Sequence, residues 1–226
     1  MLLLLCTIIK LPTLLYHHDE PDEQIYLSLA KRLITAGEYN LTGTDILSQL
    51  SPGIYDHPLF FHPPLFTLCL IPFVYWNVEN LAVVVSWLGH LLCIVSVALI
   101  GRRMVFAYES NSDRNILVSW LPVIGMALDP FLTVFSRRLW IDSFQSGLCA
   151  ASLAAFFCAR YSQRRSLWLV AGGLFFGLAG LCKLTALIFA PVLLYLILTA
   201  ETPRRSKIKD LCLGSLPALL LLLPQA

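Results

Sequence analysis

Charged residues are scarce in this sequence. Asp, Glu, Lys and Arg make up 13% of its 226 residues, against about 25% in an ordinary soluble domain. Hydrophobic residues reach 58% and the mean hydropathy is +0.74. This composition excludes a cytosolic globular enzyme and a disordered chain. The net charge of only +2, with no basic block that contains interleaved aromatics, also excludes a nucleic-acid binder.

The sequence also lacks the cysteine patterns of metal-bound or disulfide-stabilised proteins. It has seven cysteines, all inside apolar stretches, with no CxxC pair and no Cys/His ligand spacing. We therefore expect neither a zinc site nor a disulfide framework. The cysteines are interpreted as small, buried apolar residues.

What the sequence has instead is a series of long apolar runs. A bilayer core of about 30 Å needs about 20 mostly apolar residues in a helix. A short or truncated first span is predicted within residues 1–16. Six further spans are predicted at residues 81–100, 115–135, 143–159, 166–182, 184–200 and 211–226. The predicted fold is therefore all-α and polytopic, with about seven transmembrane helices in one domain over residues 1–226. Because the sequence begins and ends inside apolar segments, we expect it to be an N-terminal fragment.

The basic residues predict how these spans are oriented. Three connections contain 10 of the 16 Lys and Arg residues: Arg102, Arg103 and Arg114; Arg160, Arg164 and Arg165; Arg204, Arg205, Lys207 and Lys209. The positive-inside rule places these connections in the cytosol. Residues 17–80, the short connection at 136–142 and the corner at Lys183 then lie outside. A glycosylation sequon at Asn40 fits an outer loop.

The long outer loop contains two predicted features. Acids flank Pro21, apolar residues then recur at helical spacing, and Gly37 is a natural stop. This predicts an amphipathic surface helix at residues 21–36. The following apolar segment, residues 58–78, holds four prolines and is predicted to be re-entrant or interfacial. Residues 81–226 then supply the transmembrane helices.

Charged residues gather on the predicted outer side. Such groups near membrane depth are costly and usually mark function. They are Asp22 and Glu23, His57 and His62, Arg137, Arg138 and Asp142, and Lys183. Each also has a structural interpretation: the acids can begin helices, and the cations can lie at the membrane interface. His90, alone inside a span, is interpreted as a core histidine.

In four ordered elements the chain resembles the GT-C glycosyltransferases, which take sugars from polyprenyl phosphates. The nearer resemblance is to protein O-mannosyltransferase-like enzymes, which include the bacterial aminoarabinose transferases of lipid A. The elements are Pro21-Asp22-Glu23-Gln24-Ile25-Tyr26 with Ala30, Leu33 and Gly37; His62-Pro63-Pro64-Leu65; Ser136-Arg137 with Asp142; and Gly172-Gly173, Gly177 and Gly180 with Lys183-Leu184-Thr185. Together they cover residues 21–185.

The resemblance implies the chemistry and the roles of single residues. The donor is a polyprenyl-phosphate-linked sugar, and the acceptor is a hydroxyl on a protein, lipid or glycan. Asp22 and Asp142 are the catalytic candidates. Asp22 is the first choice for the base, and direct displacement would invert the anomeric centre. The substrate-binding candidates are Glu23, Tyr26, His62, Arg137, Arg138 and Lys183. Some members of the superfamily use a divalent metal and others do not, so metal use stays open.

The resemblance also implies a compartment, and two other functions compete with it. The active face would be lumenal in the ER membrane of a eukaryote, or periplasmic at the inner membrane of a bacterium. A transporter would explain charges near the membrane together with Pro and Gly breaks. A non-catalytic membrane subunit or decayed homologue would explain the short length. We do not expect a fragment of this length to be active alone.

Overall fold

The computed structural model describes residues 2–15, 20–46, 63–107, 113–200 and 203–223. Within these ranges the chain forms helices joined by turns. The helices are α1 (Leu2–Lys10), α2 (Pro21–Ala36), α3 (Leu65–Tyr75), α4 (Val84–Ala107), α5 (Asp113–Leu128), α6 (Pro130–Ser136), α7 (Ile141–Arg160), α8 (Arg165–Cys182), α9 (Ala190–Leu198) and α10 (Arg204–Leu222). Short 3₁₀ turns at Leu11–Leu15, Glu79–Val83 and Leu184–Phe189 precede or follow them.

The predicted all-α, polytopic class is confirmed. Three helical stretches of the described residues are long and apolar enough to cross a membrane: Glu79–Val105, Ile141–Arg160 and Arg165–Cys182. Many large apolar side chains on the outside of the helices are exposed, among them Leu121 at 64% and Ile188 at 78%. Such a surface is suited to lipid, and the chain is an integral membrane protein.

One predicted span is interrupted, and the connection between two others is a sharp turn. The span predicted at residues 115–135 divides into α5 and α6, and Asp129 accepts a hydrogen bond from the Leu132 N–H at 2.7 Å to begin α6. The helix ends before Pro130 because Asp129 leaves helical geometry at the residue preceding a proline. After α8 the chain is extended at Lys183 and then turns through the 3₁₀ segment into α9. Lys183 pairs with Asp142 at the start of α7, and Thr199, just after α9, bonds to Arg160 at the end of α7. The chain therefore reverses direction at Lys183.

The amphipathic helix has the bounds that its sequence predicts. α2 begins with Pro21 in its first turn and ends at Gly37, whose φ of +68° is the left-handed value that glycine adopts easily. Tyr26, Leu29 and Ala30 are buried. The Tyr26 ring meets the Phe66 ring of α3 edge-on at 5.1 Å. α3 has 11 residues, about 16 Å of helix. The re-entrant or interfacial placement of its segment stays a prediction.

The centre of the bundle depends on two close helix contacts. A Cβ on Gly147 of α7 would collide with the carbonyl oxygen of Gly89 on α4, so these two backbones touch. A Cβ on Gly173 of α8 would likewise collide with the carbonyl of Gly214 on α10. Small residues permit such approach between membrane helices. The contacts hold α4, α7, α8 and α10 together as the body that positions the candidate site.

Candidate active site

Three parts of the chain meet at one end of α7 and α8. They are the first turns of α2, the connection from α6 into α7, and the corner at Lys183. We call this region the α2–α7 corner and define it by Asp22, Glu23, Tyr26, Arg137, Arg138, Asp142 and Lys183. It contains every candidate site residue named from the sequence except His62. His62 and His57 lie outside the described residues.

An ion pair joins two of these residues. The Lys183 ammonium lies 2.9 Å from a carboxylate oxygen of Asp142. Asp142 is in the first turn of α7, where the helix dipole favours an acid. The side chain of Asp142 is 52% exposed and that of Lys183 is 28% exposed. Both charges are therefore accessible to a ligand that enters from solvent.

Gln145 holds the main chain at the Lys183 corner, and it was not predicted as a site residue from the sequence. Its side-chain amide donates to the Lys183 carbonyl at 2.8 Å and to the Thr185 hydroxyl at 3.0 Å. The Lys183 N–H donates to the Ala179 carbonyl at 3.1 Å. These bonds fix the main chain at Lys183. Gln145 is three residues after Asp142, so the same face of α7 carries both; that spacing was the available signal.

Glu23 fastens α2 to the connection between α6 and α7. Its side chain is 1% exposed, and Oε1 accepts a hydrogen bond from the Leu139 N–H at 2.8 Å. The Arg138 guanidinium lies 3.1 Å from Glu20 and 4.0 Å from Glu23. This burial gives Glu23 a structural contribution. The substrate contact that the resemblance implies for it stays a prediction.

Tyr26 is affected by the charges of both catalytic candidates, Asp22 and Asp142. Burial raises the pKa of the Tyr26 phenol, and the carboxylates of Asp22 and Asp142 raise that pKa further. The charges of both acids therefore act on the same phenol, although 120 residues separate the two acids in the sequence. Asp22 and Asp142 are exposed, whereas Tyr26 is 6% exposed. The corner thus presents two open carboxylates around a buried, protonated tyrosine.

A buried polar network centred on His90 lies next to the corner. The Lys10 ammonium lies 2.6 Å from Nδ1 of His90. Nε2 of His90 lies 3.0 Å from the Met126 carbonyl, which accepts its proton, so Nδ1 is left to accept. Ser136, directly before Arg137, lies 3.3 Å from Nδ1. His90 is thus a satisfied core histidine, and Arg137 itself is exposed.

The corner has no established metal ligand set. Within the described ranges, no three His, Cys, Asp or Glu side chains converge as they would around an ion. Asp142 and Asp22 are the carboxylates of the corner that are exposed and could contribute oxygen ligands. Metal use stays open at this site.

Comparison with known proteins assigns the chain to a family. The model of glycosyltransferase family 87 matches residues 60–206, well over half of the chain. That range includes Arg137, Asp142 and Lys183; Asp22 and Glu23 precede it. The comparison with curated protein sequences gives no significant match.

Two solved structures share the fold. The chain is similar to ArnT from Cupriavidus metallidurans in the apo state, with a TM-score of 0.71 and 18% identity. It is also similar to the same protein bound to undecaprenyl phosphate, with a TM-score of 0.70 and 17% identity. Both alignments cover 98% of this chain and 40% of the ArnT chain. The GT-C fold expected from the sequence is confirmed, and the chain belongs to glycosyltransferase family 87.

Proposed function

We propose that the protein is a membrane glycosyltransferase that moves a sugar from a polyprenyl-phosphate donor to an acceptor hydroxyl. The observation that carries the proposal is the α2–α7 corner, where a partly exposed Lys183–Asp142 ion pair and a second, exposed acid, Asp22, lie at the same end of the bundle. Membership of a glycosyltransferase family and the fold shared with a protein solved with undecaprenyl phosphate support it.

The cations of the corner suit the donor. When the sugar leaves its phosphate, negative charge grows on the phosphate oxygens, and a fixed cation stabilises that charge. Lys183 and Arg137 are the best placed, because both are accessible. Arg138 lies close to two carboxylates, those of Glu20 and the buried Glu23, whereas Lys183 is paired with one, the exposed Asp142. We therefore assign Arg138 a weaker contribution. His62 is proposed to contact the substrate, as the resemblance implies.

The acids suit the acceptor. The acceptor oxygen attacks the anomeric carbon, the bond from that carbon to the phosphate oxygen breaks, and the phosphate leaves with the electron pair. Asp22 takes the hydroxyl proton as the reaction proceeds. A single displacement inverts the anomeric centre. Asp142 is proposed to bind the acceptor, the sugar or a metal, and Tyr26 to donate a hydrogen bond because its phenol stays protonated.

Basic residues at the opposite end of the bundle support an outer location for the corner. At the other end of α7 and α8, Arg160 donates to the Thr199 carbonyl at 3.1 Å and Arg165 pairs with Asp210 at 2.9 Å. Arg103 of α4 lies within hydrogen-bonding reach of Cys158 there. We call this the basic end. By the positive-inside rule we propose that it is cytosolic and that the corner faces the lumen or periplasm. Residues 17–80 are then an outer loop of one domain.

Replacing Asp22 tests the proposal. In membranes that contain the full-length parent of this chain, Asp22→Asn should abolish transfer of a radiolabelled sugar from a polyprenyl-phosphate donor while leaving membrane insertion intact. Glu38→Gln, a change at an exposed acid beyond the end of α2, is the matched control and should retain transfer. Normal turnover by the Asp22→Asn protein would overturn the assignment. Uptake of labelled solute by the wild type, without transfer, would favour a transporter.

A further inference from the structure

The Asp142 carboxylate already binds the Lys183 ammonium, which is the cation that a donor phosphate would need. The two groups lie 2.9 Å apart and are partly exposed. A phosphate group that approaches Lys183 therefore meets an ammonium that already has a carboxylate partner. We propose that the donor phosphate displaces Asp142 from Lys183, and that this exchange releases the Asp142 carboxylate to receive the acceptor hydroxyl. The inference rests on the proposed function and adds an order of events to it.

The surroundings of the pair allow the exchange. The main chain at Lys183 is fixed by its bonds to Gln145 and Ala179, whereas the ammonium is at the end of a flexible side chain. Exposed ion pairs are weak. Opening this one should reduce donor affinity by no more than about fivefold. The donor phosphate is a diester with one negative charge and two free oxygens, so it matches a carboxylate as a partner for the ammonium and can replace it at little cost.

The exchange sets the order in which the donor and the acceptor bind. Before the donor arrives, the Asp142 carboxylate is occupied by the lysine. After the donor arrives, the lysine bonds to the phosphate and the carboxylate is open next to Tyr26 and Asp22, where the acceptor would enter. The donor thereby prepares the acceptor site. No bond is made or broken in this step; only two charge-assisted hydrogen bonds are exchanged.

The test is a double-mutant cycle on donor binding. The affinity of the full chain for undecaprenyl phosphate would be measured in detergent for wild type, Asp142→Asn, Lys183→Gln and the double variant. We expect Lys183→Gln to weaken binding by at least about tenfold, the usual effect of losing a charge-assisted hydrogen bond. Asp142→Asn should tighten binding by about two- to fivefold, because it removes the competing carboxylate. In the Lys183→Gln background the same change should have no effect.

The outcomes separate this inference from the proposed function. Equal tightening by Asp142→Asn in both backgrounds would mean simple repulsion between Asp142 and the phosphate, and would overturn the exchange. The exchange is equally overturned if Asp142→Asn leaves affinity unchanged while Lys183→Gln weakens it, although the donor site then stands. A wild-type protein that does not bind undecaprenyl phosphate overturns both. Glu38→Gln is the control and should leave affinity unchanged in either background.

Discussion

At the scale of single residues, Glu23 is a candidate site acid that also has a structural contribution. Its carboxylate is 1% exposed and accepts the Leu139 N–H at 2.8 Å. Glu23→Ala would leave that buried N–H without its acceptor, which costs about 1–3 kcal/mol. We therefore expect the free energy of unfolding to fall by that amount in detergent denaturation.

The comparison for this prediction is Glu38→Ala. Glu38 is exposed and pairs with Arg32 near the end of α2, where an ion pair contributes no more than about 1 kcal/mol. Its replacement should cost clearly less than that of Glu23. Equal losses for the two variants would show that the Glu23–Leu139 bond does not hold α2 in place.

Tyr26 predicts a dependence of stability on pH. Burial first, then Asp22 and Asp142, raise the pKa of its phenol above the ordinary value of 10.0. A raised pKa means that the folded state retains the proton more tightly, so this contribution is complete below pH 10 and is lost as the pH rises further. Tyr26→Phe should therefore reduce the decline in unfolding free energy between pH 10 and higher values, measured by denaturant titration at each pH.

Tyr75→Phe is the control for this measurement, because the Tyr75 ring is 68% exposed and lies at the end of α3. Its replacement should leave the alkaline decline as in wild type. The pKa of Tyr39 is also raised by burial. Tyr39 therefore contributes to the alkaline decline in unfolding free energy, and this contribution persists in both variants. A Tyr26→Phe protein that loses stability above pH 10 as steeply as wild type would contradict the electrostatic account of the corner.

At the scale of elements, the contact between α4 and α7 fixes where Asp142 lies. Gly147→Ala would place a methyl group against the Gly89 carbonyl and 2.7 Å from the Gly89 Cα. Because both partners are helix backbone, the helices must separate, which costs about 1–3 kcal/mol for overpacking. We expect lower thermal stability and weaker binding of undecaprenyl phosphate, since Gln145, which holds the main chain at Lys183, is on the helix that moves.

Gly125→Ala provides the matched comparison. Gly125 is within α5, and a Cβ there would meet no atom within 4 Å. Since alanine is the better helix former by about 1 kcal/mol, this variant should be as stable as wild type or more so. Loss of stability in both variants alike would show that helix propensity, and not the close approach of α4 and α7, sets the effect.

The elements also show what the sequence could and could not predict. The bounds of α2 followed from local signals, namely Pro21 and the acids at its start and Gly37 at its end. The break at Asp129-Pro130 also has a local cause, because the residue before a proline disfavours helical geometry. The pairing of Lys183 with Asp142 was not predictable in this way, because periodicity indicates which face of a helix is apolar but not which helix that face meets. Gln145 was missed for the same reason: its partners are 38 and 40 residues away.

At the scale of the whole molecule, the two ends of the helix bundle carry different sets of charged residues. The α2–α7 corner holds Asp22, Asp142 and Lys183, and the basic end holds Arg160 and Arg165. α7 alone has 20 residues, about 30 Å of helix and close to the thickness of a bilayer core. The two ends should therefore face opposite compartments.

Cysteine labelling checks this orientation. In a Cys212→Ser background, which removes an exposed native thiol, Thr42→Cys and Gln163→Cys each introduce one exposed site. With the protein expressed in a bacterial host, a membrane-impermeant maleimide added to spheroplasts should label position 42 at once and position 163 only after permeabilisation. The reverse pattern would place the corner in the cytosol and contradict the proposed active face.

Photo-crosslinking of the donor tests the central claim most directly. A polyprenyl phosphate with a photoreactive group next to its phosphate would be bound to the full chain, illuminated, and its attachment sites mapped by mass spectrometry. The account predicts labelled peptides from the α2–α7 corner, around residues 22–26, 137–142 and 183, and loss of that labelling in excess unlabelled undecaprenyl phosphate. Competed labelling confined to the basic end, around residues 160–165 and 207–210, would contradict it.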